Sequence, residues 1–295
     1  LYEPEPEAPR QRAIVRALAD AYAAHGDWLE AIRLYESLLA QADTQDGAGI
    51  ALSLGQCHRA LGNSEDTLAA FEMAQGLGAD PAIVTPLLAE ALEAAGDLDE
   101  AANTWFEAAR LAPDDPEHWH RASALWIALG DSRAALAALQ RVVELEPDNG
   151  AAHADLARTA SAVGEPEIAT LAWEQAAALD YMPATAYSNL AALYQTAGRA
   201  EAARLALERS LALDRRQAHL YYQLGQMYIS DAAQAKAIDA FRRAVELEPD
   251  RSECQAALGM ALLAEGDARA ALNALQQARQ LAPDHVPTIK ALAIA

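Results

Sequence analysis

Residues 116–149, PEHWHRASALWIALGDSRAALAALQRVVELEPDN, hold one complete copy of the unit from which this chain is built. Gly130 stands near its middle. Ser123 lies seven residues before that glycine and Trp126 four before, while Ala135 and Leu139 follow at five and nine, and Pro147 closes the segment. The same glycine recurs at 34-residue spacing as Gly62, Gly96, Gly130, Gly164, Gly198 and Gly266. Ala232 fills the one vacant slot, and Gly26 leads by 36. A fixed period of this length means stacked supersecondary units, each burying its apolar face against its neighbours.

Set in register on the turn residue, the units share a chemistry. Seven residues before it stand Ala19, Gly55, Ala89, Ser123, Ala157, Ala191, Gly225 and Gly259, all small. Five after it stand Ala31, Thr67, Ala101, Ala135, Ala169, Ala203, Ala237 and Ala271. Two helices that cross closely need small side chains at the contact, and these positions supply one on each helix. Larger groups, such as Tyr194 and Tyr228 before the turn and Phe71, Trp105 and Phe241 after it, fill the space around them. Each unit therefore reads as helix, tight turn, helix. Glycine suits a first helix that ends in a left-handed residue. Asp27, Asn63, Asp97, Asp131 and Asp267 follow directly as predicted caps of the second helix. Pro113, Pro147, Pro249 and Pro283 close second helices, where proline cannot continue the ladder.

This order of small, aromatic, Gly, Ala, aromatic and Pro resembles the tetratricopeptide repeat family over residues 12–284. The resemblance implies an all-α fold, a right-handed α-solenoid (superhelix) of stacked antiparallel helix pairs whose first helices line a concave groove. Eight units are expected, at about 12–47, 48–81, 82–115, 116–149, 150–183, 184–217, 218–251 and 252–285. Residues 1–11 read as an acidic, Pro-rich linker, with Tyr2–Glu3–Pro4 as the tail of a preceding second helix. Residues 286–295 read as the first helix of a truncated ninth unit, so the chain is expected to be a segment of a longer array. Three places depart from the pattern. Thr85–Pro86 reads as a late cap and first-turn pair, which predicts a short helix and a hinge beside Gly76 and Gly78. Ala160 places a methyl where other units place a ring. Ala232 replaces the turn glycine, with Asp231 expected in the strained position.

Composition narrows the function classes. The net charge of −21 argues against nucleic acid or an anionic membrane as partner. That charge is uneven: residues 184–251 carry nine basic and eight acidic side chains, so the acidity lies elsewhere. Twenty arginines against two lysines, with abundant alanine, point to a GC-rich bacterial genome. No uninterrupted apolar run approaches 18 residues, so no transmembrane helix is expected. Cys57 and Cys254 lie almost six units apart, too far for a disulfide in an extended stack. They leave cytoplasm and periplasm equally open.

No catalytic constellation appears: neither a Gly-rich phosphate loop after a strand nor HExxH, CxxC or GxSxG occurs. His118 and His120, two apart on a helix, point about 200° from each other and cannot share a metal. Neither enzyme activity, metal nor cofactor is therefore expected. Recognition remains. The family resemblance implies that residues thirteen, ten, nine, six, three and two before the turn glycine face the groove. Among these, Arg121, Asp155, Arg158, Asn189, His219, Tyr222, Gln223 and Gln226 are the candidate partner-binding residues. Arg121, Asp155, Asn189 and Gln223 occupy equivalent places and are expected to form a polar row. Amide and phenol groups there can pair with the backbone of an extended peptide without demanding one sequence. The basic carboxylate clamp that some family members use for C-terminal tails is absent. The principal expectation is a non-enzymatic scaffold that binds a protein or peptide and is open to end-to-end self-association. The alternatives are a substrate-recruiting arm of a larger sulfotransferase or glycosyltransferase, and a periplasmic solenoid of a polysaccharide export system.

Overall fold

The structure, a computed structural model, describes residues 7–41 and 44–294, and within them every regular element is a helix. The backbone divides into two compact units, residues 1–164 and 165–295. In the first, nine helices follow in order: α1 (Glu7–His25), α2 (Trp28–Leu39), α3 (Thr44–Leu61), α4 (Ser64–Gly76), α5 (Pro81–Ala95), α6 (Leu98–Leu111), α7 (Pro116–Leu129), α8 (Ser132–Leu145) and α9 (Gly150–Val163). The second holds α10 (Pro166–Ala178), α11 (Ala184–Thr196), α12 (Ala200–Leu213), α13 (Ala218–Ser230), α14 (Gln234–Leu247), α15 (Ser252–Glu265), α16 (Ala268–Leu281) and α17 (Val286–Leu292). Within each unit every helix packs against the next in sequence, so both are solenoid stacks of helix pairs.

The small residues sit where the pairs cross. Ala31, Ala101, Ala135, Ala169, Ala203, Ala237 and Ala271 are fully buried on the second helices, and Ala19, Ala89 and Ala157 are fully buried on the first. Phe71 leans over Gly55 and Phe241 over Gly225, so that a Cβ at either glycine would stand 2.5 Å from the ring. Large side chains then fill the gaps between pairs. Phe106 and Trp126 pack with ring centroids 5.3 Å apart in the first unit, and Phe241 joins Leu258, Leu262 and Ala271 in the second.

The recurring proline turns have a further role that the family pattern does not announce. Six residues beyond Pro113, Pro147 and Pro249 stand Trp119, His153 and Gln255, all buried. Trp119 Nε1 donates to the Pro113 carbonyl (3.1 Å), and Gln255 Nε2 donates to that of Pro249 (3.2 Å). His153 Nε2 lies 2.9 Å from the Pro147 carbonyl. A carbonyl left without a helical donor thus finds a side-chain partner on the following helix.

Several expectations change. Seven turn glycines are left-handed, with φ between 71° and 95°, but Ala232 itself takes the strained conformation at φ 54° while Asp231 stays at φ −84°. Helix α5 is not short. Asp80 caps it by accepting from Ala82 N (3.0 Å), Pro81 occupies its first turn, and Pro86 lies inside it. Ala79 and Val84 are buried beside Phe71 and Ala74 in one cluster, so this junction is packed. Of the five predicted second-helix caps, Asp131 and Asp267 accept from the backbone, whereas Asp27, Asn63 and Asp97 make no side-chain cap bond. Residues 7–11 belong to α1 and not to a linker. Tyr2–Glu3–Pro4 falls outside the described residues. Cys57 and Cys254 are free, buried thiols in separate units, and burial pushes both thiol pKa values up.

Candidate functional site

The eight candidate residues fall into two groups, one in each compact unit, and the two groups differ in what their side chains do. In the first unit they are tied to their own neighbours. Arg121 on α7 donates to Glu117 (2.9 Å) and Glu93 (3.3 Å), and its guanidinium lies 5.5 Å from the centre of the Trp105 ring. Those carboxylates hold its pKa above the usual arginine value, chiefly through the Glu117 bond. The Trp105 indole N–H is bonded to Glu93 as well. Arg158 and Asp155 on α9 form an ion pair with each other. Arg59 on α3 pairs with Glu90 on α5. The face predicted for partner contact is, in this unit, a lattice of internally satisfied charges.

His118 and His120 diverge as expected for neighbours on a helix. His118 packs against the Trp105 ring at 5.5 Å, and His120 meets Glu146 at 2.8 Å. The His120 contact holds the Glu146 carboxyl below its ordinary pKa. Among the described residues no group of three or more metal-ligating side chains converges, and no helix is long and apolar enough to cross a membrane.

In the second unit the candidate residues are amides and rings without ionic partners. Tyr222 on α13 is half-buried, with its ring 5.9 Å from Phe241 and 5.8 Å from the Arg251 guanidinium. It is therefore part of the packing between helices as much as a surface group. Asn189 on α11 and His219 on α13 are exposed. Gln223 and Gln226 line a cleft of about 390 Å³ that opens where α11 and α13 end. Gln195 and Met227 flank them, with Gln195 Nε2 donating to the Met227 sulfur at 3.7 Å. Ser230 and Asp231 complete the α13 side, and Gly198 and Ala200 supply the wall at the turn into α12. No described residue makes a side-chain hydrogen bond to the amides of Asn189, Gln223 or Gln226.

The cations nearest this cleft in sequence are engaged elsewhere. Arg199 stacks 4.4 Å from the centre of the Tyr194 ring and pairs with Glu174 at 3.0 Å. Arg204 joins Glu201 and Glu208. The same carboxylate–phenol tie appears twice, one repeat apart: Tyr194 donates to Glu174 and Tyr228 to Glu208, both at 2.8 Å. Burial, reinforced by the carboxylate, pushes the Tyr194 pKa up to about 12 and raises that of Tyr228. These bonds tie α11 to α10 and α13 to α12.

Gln223 and Gln226 were named from sequence, and Gln195 and Ser230 stand at the groove positions three and two before their turns, but Met227 and Asp231 fall outside those positions. Their position at the end of α13, next to the residue that replaces the turn glycine, was the available signal.

Family models of the tetratricopeptide repeat match residues 16–82, 82–116, 184–217 and 218–251. No curated protein matches the sequence. Among solved structures, MamA is 25% identical, with 56% of this chain and 91% of that one covered at a TM-score of 0.49. YrrB, described as a TPR protein with an unusual peptide-binding site, is 17% identical over 64% of this chain and 98% of its own, at a TM-score of 0.55. A chain of the Naa15/Naa10 assembly bound to HypK-THB is 16% identical over 94% of this chain and 43% of its own, at a TM-score of 0.64. The last two likenesses are likenesses of fold. Helix pairs on a 34-residue period, left-handed turn glycines and the matched repeats together establish that this chain belongs to the tetratricopeptide repeat family.

Proposed function

We propose that this chain is a non-enzymatic interaction scaffold that holds an extended segment of a partner protein against its second compact unit, with the cleft between the ends of α11 and α13 as the gripping point. The repeat fold supports a protein–protein interaction role. One observation carries the finer reading: the amides of Gln223 and Gln226 line a cleft without side-chain partners among the described residues, whereas each candidate residue of the first unit is held in an ion pair within that unit. A primary amide offers both donor and acceptor, the complement of a peptide backbone. Asn189 and His219 extend the same polar surface along α11 and α13.

A display selection tests this. Random dodecapeptides are enriched on the full chain, then on Gln195→Ala/Gln223→Ala/Gln226→Ala and on Arg121→Ala/Arg158→Ala. Peptides selected on the native chain should lose about tenfold or more in affinity for the triple variant and little for the double one, since each hydrogen bond lost to a desolvated partner is worth roughly 1 kcal/mol. Selected peptides that bind all three proteins alike would overturn the assignment.

A further inference from the structure

The cleft has an electrostatic character that its amides alone do not convey. Asp231 is its only ionisable lining residue, and no described cation pairs with it. Both α11 and α13 end there, at Thr196 and Ser230, and helix C-termini carry the negative end of the macrodipole. No backbone N–H among the described residues reaches the Ser230 carbonyl outside its helix. The Ser230 hydroxyl donates back to the Gln226 carbonyl at 3.3 Å, which leaves its lone pairs toward the surroundings. Gln195 directs its N–H at the Met227 sulfur, and its oxygen remains as an acceptor. None of the basic side chains that give this stretch its near-neutral charge lines the cleft. Arg199 and Arg204 are held by Glu174, Glu201 and Glu208, and Lys236 sits 5.6 Å from the centre of the Tyr228 ring.

We infer that this cleft takes a cationic side chain, arginine, from the bound segment. Asp231 supplies the one full charge of the lining, the Gln195, Gln223 and Gln226 oxygens and the Ser230 hydroxyl supply acceptors, and the C-terminal ends of α11 and α13 outnumber the single N-terminal end, that of α12 at Ala200. A planar guanidinium with five N–H groups can engage the Asp231 carboxylate and amide oxygens together, which a compact ammonium cannot. The Met227 thioether offers a polarizable surface for the arginine stem. The inference rests on the peptide-binding reading above and specifies what the peptide must carry.

The test uses the full chain, isotopically labelled, and the capped pentapeptide Ser-Gly-Arg-Gly-Ser. Analogues replace the arginine by citrulline, lysine or alanine. The arginine peptide should move the side-chain amide signals of Gln195, Gln223 and Gln226 and bind about tenfold more tightly than the isosteric but neutral citrulline peptide, as expected for a charge-assisted bond. Asp231→Asn should remove most of that preference while leaving citrulline binding in place. Asp231 is exposed and caps α13 without a side-chain bond, so the variant is expected to fold. Equal movement of the glutamine signals by all four peptides overturns the cationic site and leaves peptide binding standing. A preference for arginine that survives in Asp231→Asn overturns it too. If no peptide moves these signals, the cationic site falls, and the display selection decides separately whether peptides bind at all.

Discussion

Phe241 lies so close over Gly225 that a Cβ added there would stand 2.5 Å from its Cε1. The pair marks the crossing point of α13 and α14, and Gly55 with Phe71 repeats it at α3 and α4. Ala191 and Leu207 hold the equivalent places at α11 and α12, both buried.

Gly225→Ala therefore pits two effects against each other. Alanine favours a helix interior by about 1 kcal/mol, but over-packing costs about 1–3 kcal/mol. The single variant should be destabilised in urea, and adding Phe241→Leu should recover much of the loss by restoring the alanine–leucine pairing. A double-mutant cycle without coupling between the two positions would contradict the contact.

Ala232 pays the left-handed penalty that seven glycines avoid. Replacing it by glycine removes about 1–2 kcal/mol of strain and returns part of that through the freer unfolded chain. Ala232→Gly should stabilise the chain by about 0.5–1 kcal/mol. Gly198→Ala, the same exchange reversed one repeat earlier, should destabilise it; thermal melts of both variants check the sign.

Pro86 sits inside α5 and cannot donate to the Ala82 carbonyl. Pro86→Ala supplies that N–H and removes the ring, so a gain of about 1–3 kcal/mol is expected. An unchanged denaturation midpoint would mean that the helix already accommodates the ring without cost.

The Tyr194–Glu174 tie makes stability sensitive to alkali. The folded-state pKa, about 12, lies above the ordinary tyrosine value of about 10. The unfolded phenol therefore loses its proton first. Its contribution is complete below about pH 10 and is lost as the pH rises through about 12. Tyr194→Phe should cost about 1 kcal/mol at neutral pH and flatten the decline in stability across that window, as measured by urea titrations at stepped pH.

The repeat period, the turn glycines and the crossing-point residues were legible because they follow from backbone sterics and close packing. Each is dictated within one unit. The start of α5 was legible too, since Asp80–Pro81 is the cap and first-turn pair that Asp115–Pro116 repeats at α7. Thr85–Pro86 offered the same chemistry five residues later and drew the reading away. Sequence shows the charges of Arg121 and Arg158 but not that Glu93, Glu117 and Asp155 pair with them. The Asp155–Arg158 spacing of three on a helix was the available sign of one such pair. The cleft was hidden for a different reason. It depends on two helices ending side by side, a property of neither helix alone.

Cys57 and Cys254 are the only thiols in the chain, one in each compact unit, and both are shielded from solvent. A thiol-reactive dye can reach either one only when its own stack opens. The pair thus forms a built-in two-channel gauge: the labelling rates of Cys57→Ser and Cys254→Ser variants report how often each half breathes. A ligand seated on the second unit should slow the Cys254 channel, and the Cys57 channel supplies the reference against which that slowing is read.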